Sequence, residues 1–262
     1  MTIPFYKYHG TGNDFILIDN RTALFPKSNA RAVAQLCHRN FGIGADGLIL
    51  LEENFPGQYS MVYYNSDGNL SSMCGNGGRC FVAFAKKLGL IDQEMNFEAP
   101  DGPHFAQYTA QGEIALQMKS VSEVAVHPDY VFLNTGSPHH VQVVTELAAY
   151  PVNKAGAAIR YGELYGSAGS NVNFVEPISA NTFAVRTYER GVENETLSCG
   201  TGVTAVAIAM HKLQHTTATA VELHTPGGNL TVSFIEIDGT YQEVLLTGPA
   251  QFVFSGELSI PE

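Results

Sequence analysis

The sequence predicts an α+β protein of two similar halves, each a central buried helix wrapped by strands. Three observations carry that expectation: an internal repeat, an apolar helix in each copy of it, and short β-rich runs closed by turn residues. Setting CGNGGRCFVAFAKKL (Cys74 to Leu88) beneath CGTGVTAVAIAMHKL (Cys199 to Leu213) matches C-G-x-G at the start and K-L at the end, without gaps, at an offset of 125. FEAPDG (Phe97 to Gly102) falls opposite LHTPGG (Leu223 to Gly228), GEIALQM (Gly112 to Met118) opposite QEVLLTG (Gln242 to Gly248), and TGN (Thr11 to Asn13) opposite TGS (Thr135 to Ser137). Four segments matched in one order point to two copies of a unit. The halves are expected to meet near residues 119–130. That gives a domain over 1–120 carrying Cys74, with 250–262 a candidate to complete it, and a domain over 121–249 carrying Cys199.

The elements follow in chain order. FILID (Phe15 to Asp19) is short and rich in large apolar residues, a strand signal. In SNARAVAQLCHRN, Ser28 or Asn29 can cap a helix whose Val33, Leu36 and Cys37 share one face, so Cys37 is expected to be a core thiol. YSMVYYNSDG (Tyr59 to Gly68) is a strand running into an Asn/Ser/Asp/Gly turn. The central helix runs from Gly75 to about Leu88; Phe81 to Ala85 is apolar on every side, which marks a helix buried all round. Lys86 and Lys87 suit its negative end, and Gly89 supplies a stop. Cys80, inside this helix, is expected to be core. The second copy, Gly200 to about Leu213, has the same character and ends on His211 and Lys212.

Composition narrows the function class. At 262 residues the chain suits two domains of common size. Its longest apolar runs fall well short of the roughly 18 residues that span a bilayer, and MTIPFYKYHG lacks the pattern of a signal peptide, so a cytoplasmic location is expected. A net charge of −11, with no local cluster of basic residues, argues against nucleic acid and leaves a small molecule as partner. Four cysteines at 37, 74, 80 and 199 are too few for a disulfide scaffold and lack the spacing of a zinc site, so no metal is expected.

The chemistry sits at the two helix starts. Glycines at 75, 77 and 78, and at 200 and 202, let unpaired backbone N–H groups approach a ligand, and those donors with the helix dipole favour an anion. A thiol there has its thiolate stabilised. Two packed cysteines before unrelated turns are the competing explanation, and the repeat weighs against it. Related halves can present Cys74 and Cys199 to opposite sides of one molecule, with both sets of backbone donors on a carboxylate between them. Such a site suits inversion at a carbon beside a carboxylate, one thiolate removing a proton and the other thiol returning one, with no cofactor.

These motifs resemble the diaminopimelate epimerase family, enzymes independent of pyridoxal phosphate. The likeness runs from Phe5 to the last turns through YHGTGNDF (8–15), GIGADG (42–47), NSDG (65–68), CGNGGRC, SPHHV (137–141), NVNF (171–174), ERGVENET (189–196) and CGTG. It implies two pseudo-symmetric domains, each a mostly antiparallel sheet or barrel around a central helix, and interconversion of LL- and meso-diaminopimelate by a homodimer. It further implies that Cys74 and Cys199 are the acid–base pair, and that Gly75, Asn76, Gly200 and Thr201 hold the reacting α-carboxylate. Asn13, Asn65, Asn171, Glu189 and Arg190 would hold the distal end, Arg190 forking a carboxylate and Glu189 accepting from an ammonium. Ser137 and His139 are candidate lining residues. Two positions depart from the family's pattern: Ser137 stands where many members carry Asn, and Gly47 where a glutamine often follows the aspartate of GIGAD. Both affect recognition and leave the two-thiol chemistry intact. The alternatives are a racemase of another amino acid on the same scaffold, and a non-catalytic amino-acid-binding or thiol redox protein.

Overall fold

The computed structural model describes residues 2–71 and 73–259. The chain divides into two compact units, Met1–Leu116 with Pro249–Glu262, and Gln117–Gly248.

In the first unit, β1 (Thr2–Gly10) and β2 (Asn13–Asp19) form a hairpin turning on Thr11 and Gly12, both at positive φ. Then come α1 (Ala30–Cys37), β3 (Gly47–Phe55), β4 (Gln58–Asn65), α2 (Gly75–Lys87), β5 (Glu94–Ala99), β6 (Gly102–Tyr108) and β7 (Ile114–Gln117). β1–β2, β3–β4, β5–β6 and β6–β7 are antiparallel, whereas β2–β3 and β4–β5 are parallel, their crossovers made by α1 and α2.

β2 and β3 are buried on both faces because a helix covers each. Ile16, Ile18, Leu48 and Leu50 cluster with Val33, Leu36 and Cys37 of α1. The residues of opposite parity, Phe15 and Ile49, with Met61 of β4, lie against α2 at Gly77. Asn29 caps α1, its Oδ1 accepting from the Ala32 amide at 2.9 Å, a bond worth about 1 kcal/mol. Cys37 is buried as expected, and burial pushes its thiol up to about 12. Every residue from Gly75 to Ala85 is buried except Ala83, Cys80 among them.

The second unit repeats this arrangement. β8 (Val124–Val126), β9 (Val131–Asn134), β10 (Pro138–Val143), α3 (Val152–Arg160), β11 (Asn171–Pro177), β12 (Thr182–Glu189), the short β13 (Asn194–Thr196), α4 (Gly200–Lys212), β14 (Ala220–Thr225), β15 (Gly228–Ile237) and β16 (Thr240–Gly248) follow in order. β10–β11 and β12–β14 are the parallel pairs; β9–β10, β11–β12, β14–β15 and β15–β16 are antiparallel. The FEAPDG and LHTPGG segments are equivalent hairpins, closed by the pairs Ala99–Gly102 and Thr225–Gly228. Val172, Phe174 and Tyr188 pack with Val152 on the α3 side. The last strand, β17 (Gln251–Ser259), returns to the first unit and pairs antiparallel with β1, as β8 pairs with β9 in the second. Among the described residues no helix is long and apolar enough to cross a membrane.

Candidate active site

In each unit the parallel–antiparallel strand triplet brings three strand ends to one edge, and the central helix starts beside them. In the first unit Asn13 opens β2, Gly47 opens β3 and Asn65 closes β4, with Phe15, Gly47 and Asn65 in one row of the sheet. Cys74 precedes α2 in extended conformation (φ −116°, ψ 126°) and its thiol is partly exposed. Its Sγ lies 3.6 Å from Asn13 Oδ1, which also accepts from Asn76 Nδ2 at 3.4 Å. The structure thus gathers Asn13, Cys74, Gly75 and Asn76, with Asn65 on the same sheet edge.

Which way these amides face is settled by groups with only one hydrogen-bonding role. Asp46 Oδ2 accepts from Asn13 Nδ2 at 2.6 Å, so the Asn13 carbonyl is the end turned to Cys74. Asp46 is in turn held by Arg39 at 2.6 Å, and Arg39 also binds Asp14 at 2.8 Å. Lys7, buried, pairs with Asp14 and donates to the Gly44 carbonyl. Burial alone would raise the Asp14 carboxyl; hydrogen bonds and charge from Arg39 and Lys7 outweigh it and hold the group at about 2.

Arg79 is the residue that sequence reasoning left unread. It is completely buried immediately before the apolar run of α2, and Nη2 donates to Asn76 Oδ1 at 2.9 Å and Thr11 Oγ1 at 3.4 Å. Nη1 donates to the Gly75 carbonyl and Nε to the Pro249 carbonyl, each at 3.3 Å. Each of these acceptors is neutral, so among the described residues no carboxylate is hydrogen-bonded to the guanidinium under the α2 start. An arginine set directly against the all-apolar run Phe81 to Ala85 was the available signal.

Gly47 has a packing cause. A Cβ there would meet the Tyr63 ring and the Tyr64 carbonyl oxygen, each at 2.5 Å, so no longer side chain fits while those strands keep their register.

The second unit builds its half from Ser137, ahead of β10, Asn171 at the start of β11, and Glu189 at the end of β12. Asn171 is buried and uses both ends of its amide internally. Nδ2 donates to Ser137 Oγ at 2.9 Å and the Pro138 carbonyl at 3.1 Å, while Oδ1 accepts from the Arg190 amide at 2.9 Å. It therefore ties the Ser137 turn to Arg190. The Arg190 guanidinium, half-buried, donates through Nη1 to the Ala168 carbonyl at 3.0 Å. Its turn is braced by Glu193, which binds Arg160 at 3.1 Å and accepts from Tyr188 at 3.3 Å.

Cys199 precedes α4 with nearly the backbone conformation of Cys74 (φ −123°, ψ 112°), but it is buried. Its Sγ is 3.5 Å from Thr201 Oγ1, which is 2.9 Å from His139 Nε2. His139 is completely buried; burial first, then the charge of Arg190, push its pKa down to about 3, so the ring is neutral. Asn173 Nδ2 reaches His139 Nδ1 at 3.1 Å, and Thr187 donates to Asn173 Oδ1 at 2.9 Å. Among the described residues no group of three or more His, Cys, Asp or Glu is placed to hold a metal ion.

Comparison with known proteins agrees with this organisation. The family model for diaminopimelate epimerase matches residues 5–124 and 131–253. The chain is 57% identical to a diaminopimelate epimerase of Flavobacterium psychrophilum over 249 residues, covering 95% of this chain and 97% of that protein. It is 39% identical to one of Aquifex aeolicus, with 98% of each chain covered. Among solved structures, a Bacillus anthracis phenazine biosynthesis protein of the PhzF family superposes with a TM-score of 0.79 at 14% identity, over 99% of this chain and all of that one. A hydroxyproline epimerase from Agrobacterium vitis gives 0.69 at 14% identity, over 98% and 92%. At such identities the structural likeness establishes the fold alone, the α+β fold that these proteins share.

Proposed function

The chain belongs to the diaminopimelate epimerase family and interconverts LL- and meso-diaminopimelate, and we propose that it does so by two-base proton transfer between Cys74 and Cys199. One cysteine, as thiolate, takes the α-proton; the C–H bond breaks, an S–H bond forms, and the electron pair spreads into the carboxylate. The other cysteine, as thiol, gives its proton to the opposite face of that carbon and is left as thiolate. The carbon is inverted and nothing is consumed, so the reverse reaction runs with the roles exchanged.

The observation that carries this assignment is the repeat of one local design in two units. In each, an extended cysteine stands immediately before a buried helix of 13 residues that begins with glycine. The unpaired amides of such a start suit a carboxylate whose charge grows as the α-proton leaves. We assign Gly75, Asn76, Gly200 and Thr201 to that carboxylate. Asn13, Asn65, Asn171, Glu189 and Arg190 are assigned to the distal ammonium and carboxylate, with Ser137 and His139 lining the site and Asn171 also tying Ser137 to Arg190. The reaction contributes to lysine and peptidoglycan precursor supply, and we place it in the cytoplasm, in a homodimer. Incubation of the purified protein with LL-diaminopimelate, followed by chromatographic separation of the stereoisomers, is the test. Accumulation of the meso isomer is expected; unchanged LL substrate would defeat the assignment, and inversion of proline in its place would move the chain to the racemase alternative.

A further inference from the structure

We infer that Asn173 is a positioning residue for the second thiol: it fixes the tautomer of His139, and through Thr201 this directs a hydroxyl proton at Cys199 Sγ. The inference rests on the assignment of Cys199 as an acid–base residue.

Each step follows from a group that can play only one part. The His140 carbonyl oxygen can only accept, and it lies 3.0 Å from the Asn173 side-chain amide, so the NH2 end of that amide is the one facing it. Thr187, donating to the other end, agrees. The second N–H of that NH2 group reaches His139 Nδ1, which must therefore carry the lone pair. A neutral imidazole has one proton, so it resides on Nε2 and is donated to Thr201 Oγ1. Having accepted there, Thr201 has its own single proton for another acceptor, and Cys199 Sγ is the neighbour at 3.5 Å. A donor on sulfur favours thiolate over thiol. Beside this relay His139 on β10 is kept neutral by burial first and then by the charge of Arg190 beyond β12, and the neighbouring His140 is likewise held down by burial. In the first unit Cys74 faces the Asn13 carbonyl oxygen, which can only accept.

Two measurements test this. In the native protein, 15N chemical shifts of the histidine rings report the tautomer directly: His139 is expected as Nε2–H, and an Nδ1–H or protonated ring near neutral pH overturns the inference. In Asn173→Leu, which keeps the shape and removes the donor, alkylation by iodoacetamide is followed at each cysteine separately by mass spectrometry across pH. The Cys199 profile should move up by about one pH unit, slowing its alkylation about tenfold at neutral pH, while the Cys74 profile stays in place. An unmoved Cys199 profile, or an equal shift at both thiols, overturns it. Neither measurement depends on turnover, so the epimerase assignment stands or falls separately.

Discussion

The starts of α2 and α4 share backbone geometry and differ in almost every supporting side chain. At α2 the residue one turn into the helix is the buried Arg79, donating to the Gly75 carbonyl; at α4 it is Thr204, whose hydroxyl donates to the equivalent Gly200 carbonyl at 2.9 Å. Asn76, held by Arg79, corresponds to Thr201, held by neutral His139. Cys74 is partly exposed beside a carbonyl acceptor, whereas Cys199 is buried beside a hydroxyl. Both units keep an amide-rich helix start behind a thiol, the part that the proposed two-thiol reaction would use twice. The supports differ, a buried guanidinium under the α2 start and a neutral histidine behind Thr201 at the α4 start. Two thiols that take opposite roles on one substrate need not be equally acidic.

The sharpest break in the comparison is to remove either thiol. Cys74→Ser and Cys199→Ser are each expected to lower epimerisation by about a thousandfold or more, because one remaining thiol serves only one face of the α-carbon. A variant keeping full two-way epimerisation would show that the pair does not act together. Next come the supports. Arg79→Met removes the guanidinium's bonds to Gly75, Asn76 and Pro249 and should cost about 2–4 kcal/mol in urea denaturation. Its counterpart Thr204→Val removes one hydroxyl bond and should cost about 1 kcal/mol. Equal losses would mean that the buried charge is not held as described.

Glycines at matching positions separate the helices further. A Cβ at Gly202 would meet Asn173 Oδ1 at 2.5 Å and Cys199 Sγ at 3.3 Å, whereas at Gly77 its nearest neighbours are side-chain ends, Ile49 at 3.2 Å, Met61 at 3.3 Å and the Phe15 ring at 3.5 Å. Gly202→Ala should destabilise by about 1–3 kcal/mol, and Gly77→Ala should stay within about 1 kcal/mol of the native protein, since alanine favours the helix. A Gly202→Ala protein as stable as Gly77→Ala would contradict that packing.

The units also differ in acid. His139 and His140 are held at about 3 and about 4 when folded, both mainly by burial, against about 6.5 when unfolded. The unfolded chain therefore binds more protons as pH falls below about 6.5, and stability is lost from there down to the folded values, by up to about 1.4 kcal/mol per pH unit for each ring. Asp14, held at about 2, contributes in the opposite unit and at lower pH: its share is present above the ordinary carboxyl value near about 4 and disappears towards 2. Urea midpoints should therefore already fall between pH 6.5 and 5, and a flat profile there would mean that the two rings are not buried neutral.

Much of this was legible in the sequence because the repeat reports on structure twice. C-G-x-G before an apolar run located both helices, and the matched FEAPDG and LHTPGG segments, read only as part of the repeat, are equivalent hairpins. The supports were not legible, since each joins residues distant in the chain: Asp46 to Asn13, Asn173 to His139, Arg79 to Pro249. The ties of Asn171 to Ser137, Pro138 and Arg190 were hidden for the same reason. Gly47 looked like a lost polar contact, and only the nearness of Tyr63 and Tyr64 shows why glycine stands there.

Turnover of LL-diaminopimelate in deuterium oxide tests the two-thiol transfer most directly. Early in the reaction the meso product should carry one deuterium at the inverted α-carbon, delivered by a solvent-exchanged thiol, while recovered LL substrate stays unlabelled. Deuterium in recovered substrate to the same extent as in product, which a single base serving both faces produces, would contradict the assignment, as would product without label.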